Sequence, residues 1–197
     1  MIIKFCGIKS QNDIKLCNIL KPTMIGLIFA ESPRKIPLEQ AENILKRKSP
    51  NILSVAVFKN QSLDEVCKIV KKLKIDYVQL HGNEDLDYIR NIRKQNLKVI
   101  KAIEVYSYRD LEKGNVLKNQ VDFILLDRPK GTNIDILSIA KEAEYKFIVA
   151  GGINEENIDR YLEINPLGID ISSGIETDGN KDYQKMKKII LKVRGYL

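Results

Sequence analysis

The chain alternates between two hydrophobic rhythms from end to end. Short apolar runs occur at IIKFC (2–6), MIGLIFA (24–30), LSVAVF (53–58), YVQLH (77–81), KVIKAIEV (98–105), DFILLD (122–127), KFIVAGG (146–152) and GIDISSG (168–174). They are rich in Ile, Val, Leu and aromatic residues, as strands are. Most are near-continuous rather than alternating, which suits strands buried on both faces of a parallel sheet.

Between these runs the apolar spacing lengthens to a helical period. QNDIKLCNIL puts Ile14, Cys17 and Leu20 on one face, and PLEQAENILKRK opens with Pro37 near a first helical turn. SLDEVCKIVKKL reads as a capping box, Ser62 followed by Glu65, with Leu63, Val66, Ile69, Val70 and Leu73 as its apolar stripe. LDYIRNIRKQ, YRDLEKGNVL, IDILSIAKEAE, EENIDRYLEI and DYQKMKKIILKVRGYL continue the alternation, with Gly114 weakening the fifth helix. Strictly alternating strands and helices imply a parallel sheet. Eight such units in 197 residues predict a small α/β fold, a single-domain (β/α)8 TIM barrel spanning residues 1–197. An open doubly wound sheet is the alternative, but no GxGxxG run follows the first strand.

Composition narrows the class. Hydrophobic residues make up 44% of the chain and charged residues 30%, ordinary for a globular domain. No apolar run is long enough to span a membrane, and no signal peptide is evident at the N-terminus. Cys6, Cys17 and Cys67 are widely spaced, and there is one histidine. Neither a disulfide framework nor a metal site is expected, and a cytoplasmic location fits. The net charge of +7 is carried mostly by solvated helix faces such as ENILKRK and KIVKKLK. No basic stretch has the interleaved aromatics of a single-strand nucleic-acid surface. Neither nucleic acid nor membrane is therefore an expected partner, and the chain is expected to be a monomer or homodimer.

Candidate chemistry collects at the C-terminal ends of the strands, where barrels of this type place their active sites. Gly151-Gly152 and Ser172-Ser173-Gly174 follow the seventh and eighth strands, a pair of loops suited to phosphate. Asp127 ends FILLD and shares a face with Phe123 and Leu125. An isolated carboxylate at an apolar mouth could keep its proton and act as an acid. Cys6 ends the first strand, with Lys4 on the same face, and a nearby ammonium favours a thiolate. If the barrel closes, Lys4 and Asp170 should both point inward and meet. That pairing would draw the charge of Lys4 away from Cys6. Arg34, in the loop after strand two, has the fork for a carboxylate. His81 reads as orienting a loop by hydrogen bonds rather than as a base.

KFCGIK (4–9), GLIFAESPRKI (26–36), VAVF (55–58), VQLHG (78–82), LLD (125–127), VAGGI (149–153) and GIDISSGIE (168–176) with KD at 181–182 together resemble the phosphoribosylanthranilate isomerase family. The resemblance covers essentially the whole chain. It implies an aldose-ketose isomerase of tryptophan biosynthesis acting on a small phosphorylated substrate without cofactor or metal. It implies Asp127 as acid, Cys6 as base and Arg34 on the anthranilate carboxylate. Gly152, Ser172, Ser173 and their neighbours Gly151 and Gly174 would hold the phosphate, with His81 also in the substrate site. One departure is the segment RPKGTNIDI after LLD, shorter than the family's loop and retaining only Gly131-Thr132 of its GGTG-like run. The alternatives are the related isomerase of histidine biosynthesis or a bifunctional isomerase, and a non-catalytic phosphate-binding module. The first uses an aspartate as base on strand one, where this chain has Cys6. The second has no need of Cys6 and Asp127 together.

Overall fold

Each of the eight apolar runs forms a strand: β1 (Ile2–Cys6), β2 (Met24–Ile28), β3 (Leu53–Phe58), β4 (Tyr77–Leu80), β5 (Lys98–Glu104), β6 (Phe123–Asp127), β7 (Phe147–Ala150) and β8 (Gly168–Ile171). The computed structural model describes residues 1–196. The strands close in sequence order into a parallel barrel, with β8 pairing back onto β1. The helices are α1 (Gln11–Leu20), α2 (Leu38–Leu45), α3 (Leu63–Leu73), α4 (Leu86–Lys94), α5 (Leu111–Leu117), α6 (Ile136–Ala140), α7 (Ile158–Glu163) and α8 (Tyr183–Tyr196). Among the described residues, no helix is long and apolar enough to cross a membrane.

Alternation along each strand divides the core in two. Phe5, Leu27, Phe58, Leu80 and Ile169 face the helices and are buried there. Met24, Val55, Tyr77, Ile100, Leu125 and Ile148 fill the barrel interior. Burying each such side chain contributes about 1.5–3 kcal/mol.

The boundaries differ from the sequence reading in instructive places. At α1, Ser10 accepts the Asp13 N–H and the Asp13 carboxylate returns to the Ser10 N–H, a complete capping box that the pattern did not flag. The expected box at α3 contributes its serine half, Ser62 accepting the Glu65 N–H at 3.3 Å. α7 starts at Ile158, because the Asn154 carboxamide accepts the Glu156 and Asn157 N–H groups and holds that segment as a turn. β7 ends before Gly151 and Gly152, whose φ angles of 100° and 78° leave the extended region. Beyond β8 lie a 3-10 turn (Ser173–Ile175) and a hairpin of β9 (Glu176–Thr177) and β10 (Asn180–Lys181), none of them anticipated. The hairpin turns on Asp178-Gly179, both at positive φ (49° and 73°). A DG pair is the residue choice for that turn.

Candidate active site

β1 delivers two polar side chains into the barrel. In the register, Lys4 lies opposite Asp170 of β8, and Cys6 opposite Gly26 of β2. Lys4 Nζ donates to Asp170 Oδ2 at 2.7 Å, with both side chains buried, as the strand register predicts. The same ammonium reaches toward Cys6. A methyl group on Gly26 would lie 2.7 Å from Cys6 Sγ and 3.1 Å from Lys4 Nζ, so only glycine leaves the room that both occupy. Burial works against the Lys4 charge, but Asp170 and then Cys6 outweigh it and raise the lysine's pKa. For Cys6, which the sequence left between activation by Lys4 and loss of that charge to Asp170, burial is the largest influence. Burial pushes the thiol above its ordinary 9.0; Lys4 and Lys181 pull it down, but Asp170 adds to the rise. The resting thiol is therefore protonated at neutral pH.

Asp127, at the end of β6, is not the isolated carboxylate that its apolar run suggested. His81 Nε2 lies 3.1 Å from Asp127 Oδ2, and Gln79 Nε2 lies 3.0 Å from His81 Nδ1. With the Gln79 amide donating to Nδ1, the imidazole carries its proton on Nε2 and donates it to Asp127. The His81 backbone N–H is itself tied to the Phe58 carbonyl at 2.8 Å.

Arg34 is held from behind. Its Nε and Nη2 donate to Glu176 Oε1 and Oε2 at 2.7 and 2.5 Å. Lys181, nearly fully buried, donates to Glu176 Oε1 at 2.8 Å, the Cys6 carbonyl at 2.6 Å and the Ser172 carbonyl at 3.1 Å. Burial alone would raise the Glu176 pKa, but Arg34 and Lys181 bring it down to about 2. Glu176 occupies one edge of the Arg34 guanidinium and leaves the Nη1 edge for another anion. The roles of Glu176 and Lys181 are not among those that the sequence pattern points to. The available signal was the Asp178-Gly179 turn between them.

Cys6, Arg34, His81, Asp127, Gly152 and Ser172 all line one cleft of about 700 Å³ at the C-terminal mouth of the barrel, as do Gly151 and Ser173. Gly174 is the exception. It packs its backbone against the Ile153 carbonyl, with no room for a Cβ, and borders a neighbouring recess instead. Its work is to fit the β8 loop against the β7 loop. Ser172 Oγ donates to the Cys6 carbonyl at 3.3 Å, so the β8 loop is also tied to the end of β1.

A model of the N-(5′-phosphoribosyl)anthranilate isomerase family matches residues 3–192. The chain belongs to this family. It is 40% identical over 201 residues to the N-(5′-phosphoribosyl)anthranilate isomerase of Thermoanaerobacter sp., covering 98% of each chain. Its fold is similar to the crystal structure of phosphoribosyl anthranilate isomerase from Thermotoga maritima, at a TM-score of 0.90 and 28% identity over 99% of this chain and all of that one. A further family structure, at a TM-score of 0.88, 28% identity and the same coverage, holds reduced 1-(o-carboxyphenylamino)-1-deoxyribulose 5-phosphate. The enzyme is thus an isomerase of tryptophan biosynthesis, of the aldose-ketose type.

Proposed function

We propose that the cleft performs the Amadori rearrangement of N-(5′-phosphoribosyl)anthranilate to 1-(2-carboxyphenylamino)-1-deoxyribulose 5-phosphate, with Asp127 as general acid and Cys6 as general base. The observation that carries this reading is the placement of the two groups. They face one cleft from β6 and β1, Asp127 with His81 at its carboxylate and Cys6 beside the Lys4 ammonium.

Asp127 protonates the ribose ring oxygen, and the ring opens to an iminium at C1. Cys6 then removes the proton from C2, and the electron pair of that C–H bond neutralises the iminium to give an enolamine. Tautomerisation of the enolamine moves the O2 proton to C1 and yields the ketone, and the proton taken by Cys6 returns to Asp127 through solvent, so substrate atoms and enzyme protons both balance. The His81 N–H fixes the direction in which Asp127 presents its oxygen. The raised pKa of Cys6 makes its thiolate a strong base but a scarce one. The iminium supplies positive charge beside the thiol at the step that needs the thiolate. The open edge of Arg34 receives the anthranilate carboxylate, and the β7 and β8 loops receive the phosphate.

The test follows the fluorescence of phosphoribosylanthranilate, which turnover removes. Cys6→Ser and Asp127→Asn should each lower kcat by about 10²–10⁴-fold, with the circular dichroism of the native protein retained. Near-wild-type turnover in both folded variants would refute the assignment.

A further inference from the structure

The shortened loop after β6 places an arginine where the sequence reading expected only glycine and serine. We propose that Arg128 is a phosphate ligand of this cleft, closing the cradle of the β7 and β8 loops from the β6 side. The inference rests on the phosphorylated substrate assigned above.

Three features hold Arg128 in place. Its backbone N–H donates to the Ala150 carbonyl at 3.3 Å, extending the β6–β7 pairing by one residue. It precedes Pro129, which confines its backbone to the extended region. The loop beyond is closed by Thr132 Oγ1 donating to the Pro129 carbonyl at 2.7 Å. The side chain then lies over Gly151 and Gly152. A methyl group on Gly152 would collide with Arg128 Nη2, and one on Gly151 with the Arg128 backbone and Cβ. The two glycines thus admit the arginine as well as a ligand.

The guanidinium also has its donors available. Arg34 is engaged by Glu176 and Arg93 by Asp122. Among the described residues, no carboxylate lies within 4.0 Å of the Arg128 guanidinium. Arg128, Gly152, Ser172 and Ser173 line the same cleft. A planar fork with unused N–H groups beside the backbone amides of two loops matches a phosphate dianion. Arg34, already engaged by Glu176, is left for the carboxylate end of the substrate.

The experiment compares wild type with Arg128→Gln and Arg128→Lys. Loss of a charged bidentate contact should raise KM by about 10- to 100-fold, with kcat nearly unchanged. Inhibition by inorganic phosphate should weaken in parallel. Lysine keeps the charge without the fork, so Arg128→Lys should fall between the other two. An Arg128→Gln enzyme with unchanged KM and unchanged phosphate inhibition would sink the proposal. Thermal stabilisation by inorganic phosphate separates this inference from the one beneath it. A wild type that turns over nothing, yet is stabilised by phosphate only when Arg128 is present, would overturn the activity and keep the ligand. Equal stabilisation of wild type and Arg128→Gln, or stabilisation of neither, would overturn the ligand.

Discussion

Beside the Lys181–Glu176 pair behind Arg34, two other buried lysine–carboxylate pairs invite comparison, and they are built differently. Lys4–Asp170 sits inside the barrel at 2.7 Å; Lys101–Glu84 sits between β5 and the β4–α4 loop at 2.9 Å. Lys101 also donates to the Leu80 and Gly82 carbonyls at 3.2 and 2.6 Å. Glu84 accepts the Asn60 and Gly82 N–H groups as well. That network is closed, and it pins the loop that carries His81. The Lys4 pair is open. Among the described residues Asp170 Oδ1 has no hydrogen-bond partner, and the ammonium leans on the Cys6 thiol. Burial lowers the Lys101 pKa against the pull of Glu84, whereas Asp170 and Cys6 raise that of Lys4. The same two residue types thus anchor a loop in one place and border the chemistry in the other. A closed network spends its donors on the backbone, and an open one keeps some for the reaction.

Removing each ammonium gives the largest expected contrast. Lys4→Met and Lys101→Met should each destabilise the protein by about 3–5 kcal/mol, since each strands a buried carboxylate. Urea unfolding measures that loss. Only Lys4→Met should also lose the thiolate, by about 10- to 1000-fold, because a neighbouring opposite charge is worth about 1–3 pKa units. Lys101→Met should keep kcat within about tenfold, losing only the firmness of the His81 loop. Equal kcat losses in the two variants would erase the distinction.

The thiol itself can be titrated directly. Peptide-resolved labelling of Cys6 by iodoacetamide should still be accelerating as pH passes 9.0, because burial holds the thiol above that value. Lys4→Met should move the curve to still higher pH, and Lys101→Met should leave it in place. A wild-type curve that levels off below pH 9.0, or a Lys4→Met curve displaced downward, contradicts the balance of burial and Lys4 at this thiol.

A smaller effect concerns Glu84, whose pKa is lowered from 4.5. Burial alone would raise it, and the Asn60 N–H and Lys101 outweigh burial. A depressed carboxylate stabilises the folded state above its unfolded pKa, and that stability is lost as pH falls through the folded value. Glu84→Gln should therefore be less stable than wild type near neutral pH, with the gap narrowing below pH 4.5. A gap that widens with acid would show that the carboxylate is not held by Lys101. Arg34 bears on the open side of the comparison in the same way, since Glu176, held to about 2, keeps its charge through the same acid range.

The barrel was legible because its signal is repeated. Each of eight runs reported the same burial on both faces, and errors at single residues, such as Gly114, did not disturb the alternation. The inward placement of Lys4 and Asp170 was legible too, because strand parity and closure determine it. What escaped depended on contacts between loops. Glu176 and Lys181 are brought to Arg34 by a two-stranded hairpin too short to show periodicity, although its DG turn was in view. The His81–Asp127 contact joins β4 to β6 across a strand that lies between them, and no local pattern encodes it. The sign of the Cys6 shift depended on how deeply Lys4, Asp170 and Cys6 are buried together. Sequence spacing gave the neighbours, but not the desolvation that outweighs them.

The smallest effect supplies the baseline against which both pairs are read. Ser62→Ala removes the α3 cap, where Ser62 accepts the Glu65 N–H at 3.3 Å. Such a loss costs about 1 kcal/mol, a fraction of that expected at either lysine. Ser62 touches neither ion pair, so kcat and the pH curve of Cys6 labelling should both stay at wild-type values. If labelling shifted in Ser62→Ala as it does in Lys4→Met, loosening of the barrel alone would explain it. The ammonium would then have no specific hold on the thiol. If only Lys4→Met shifts it, the effect belongs to the charge that Asp170 holds beside Cys6.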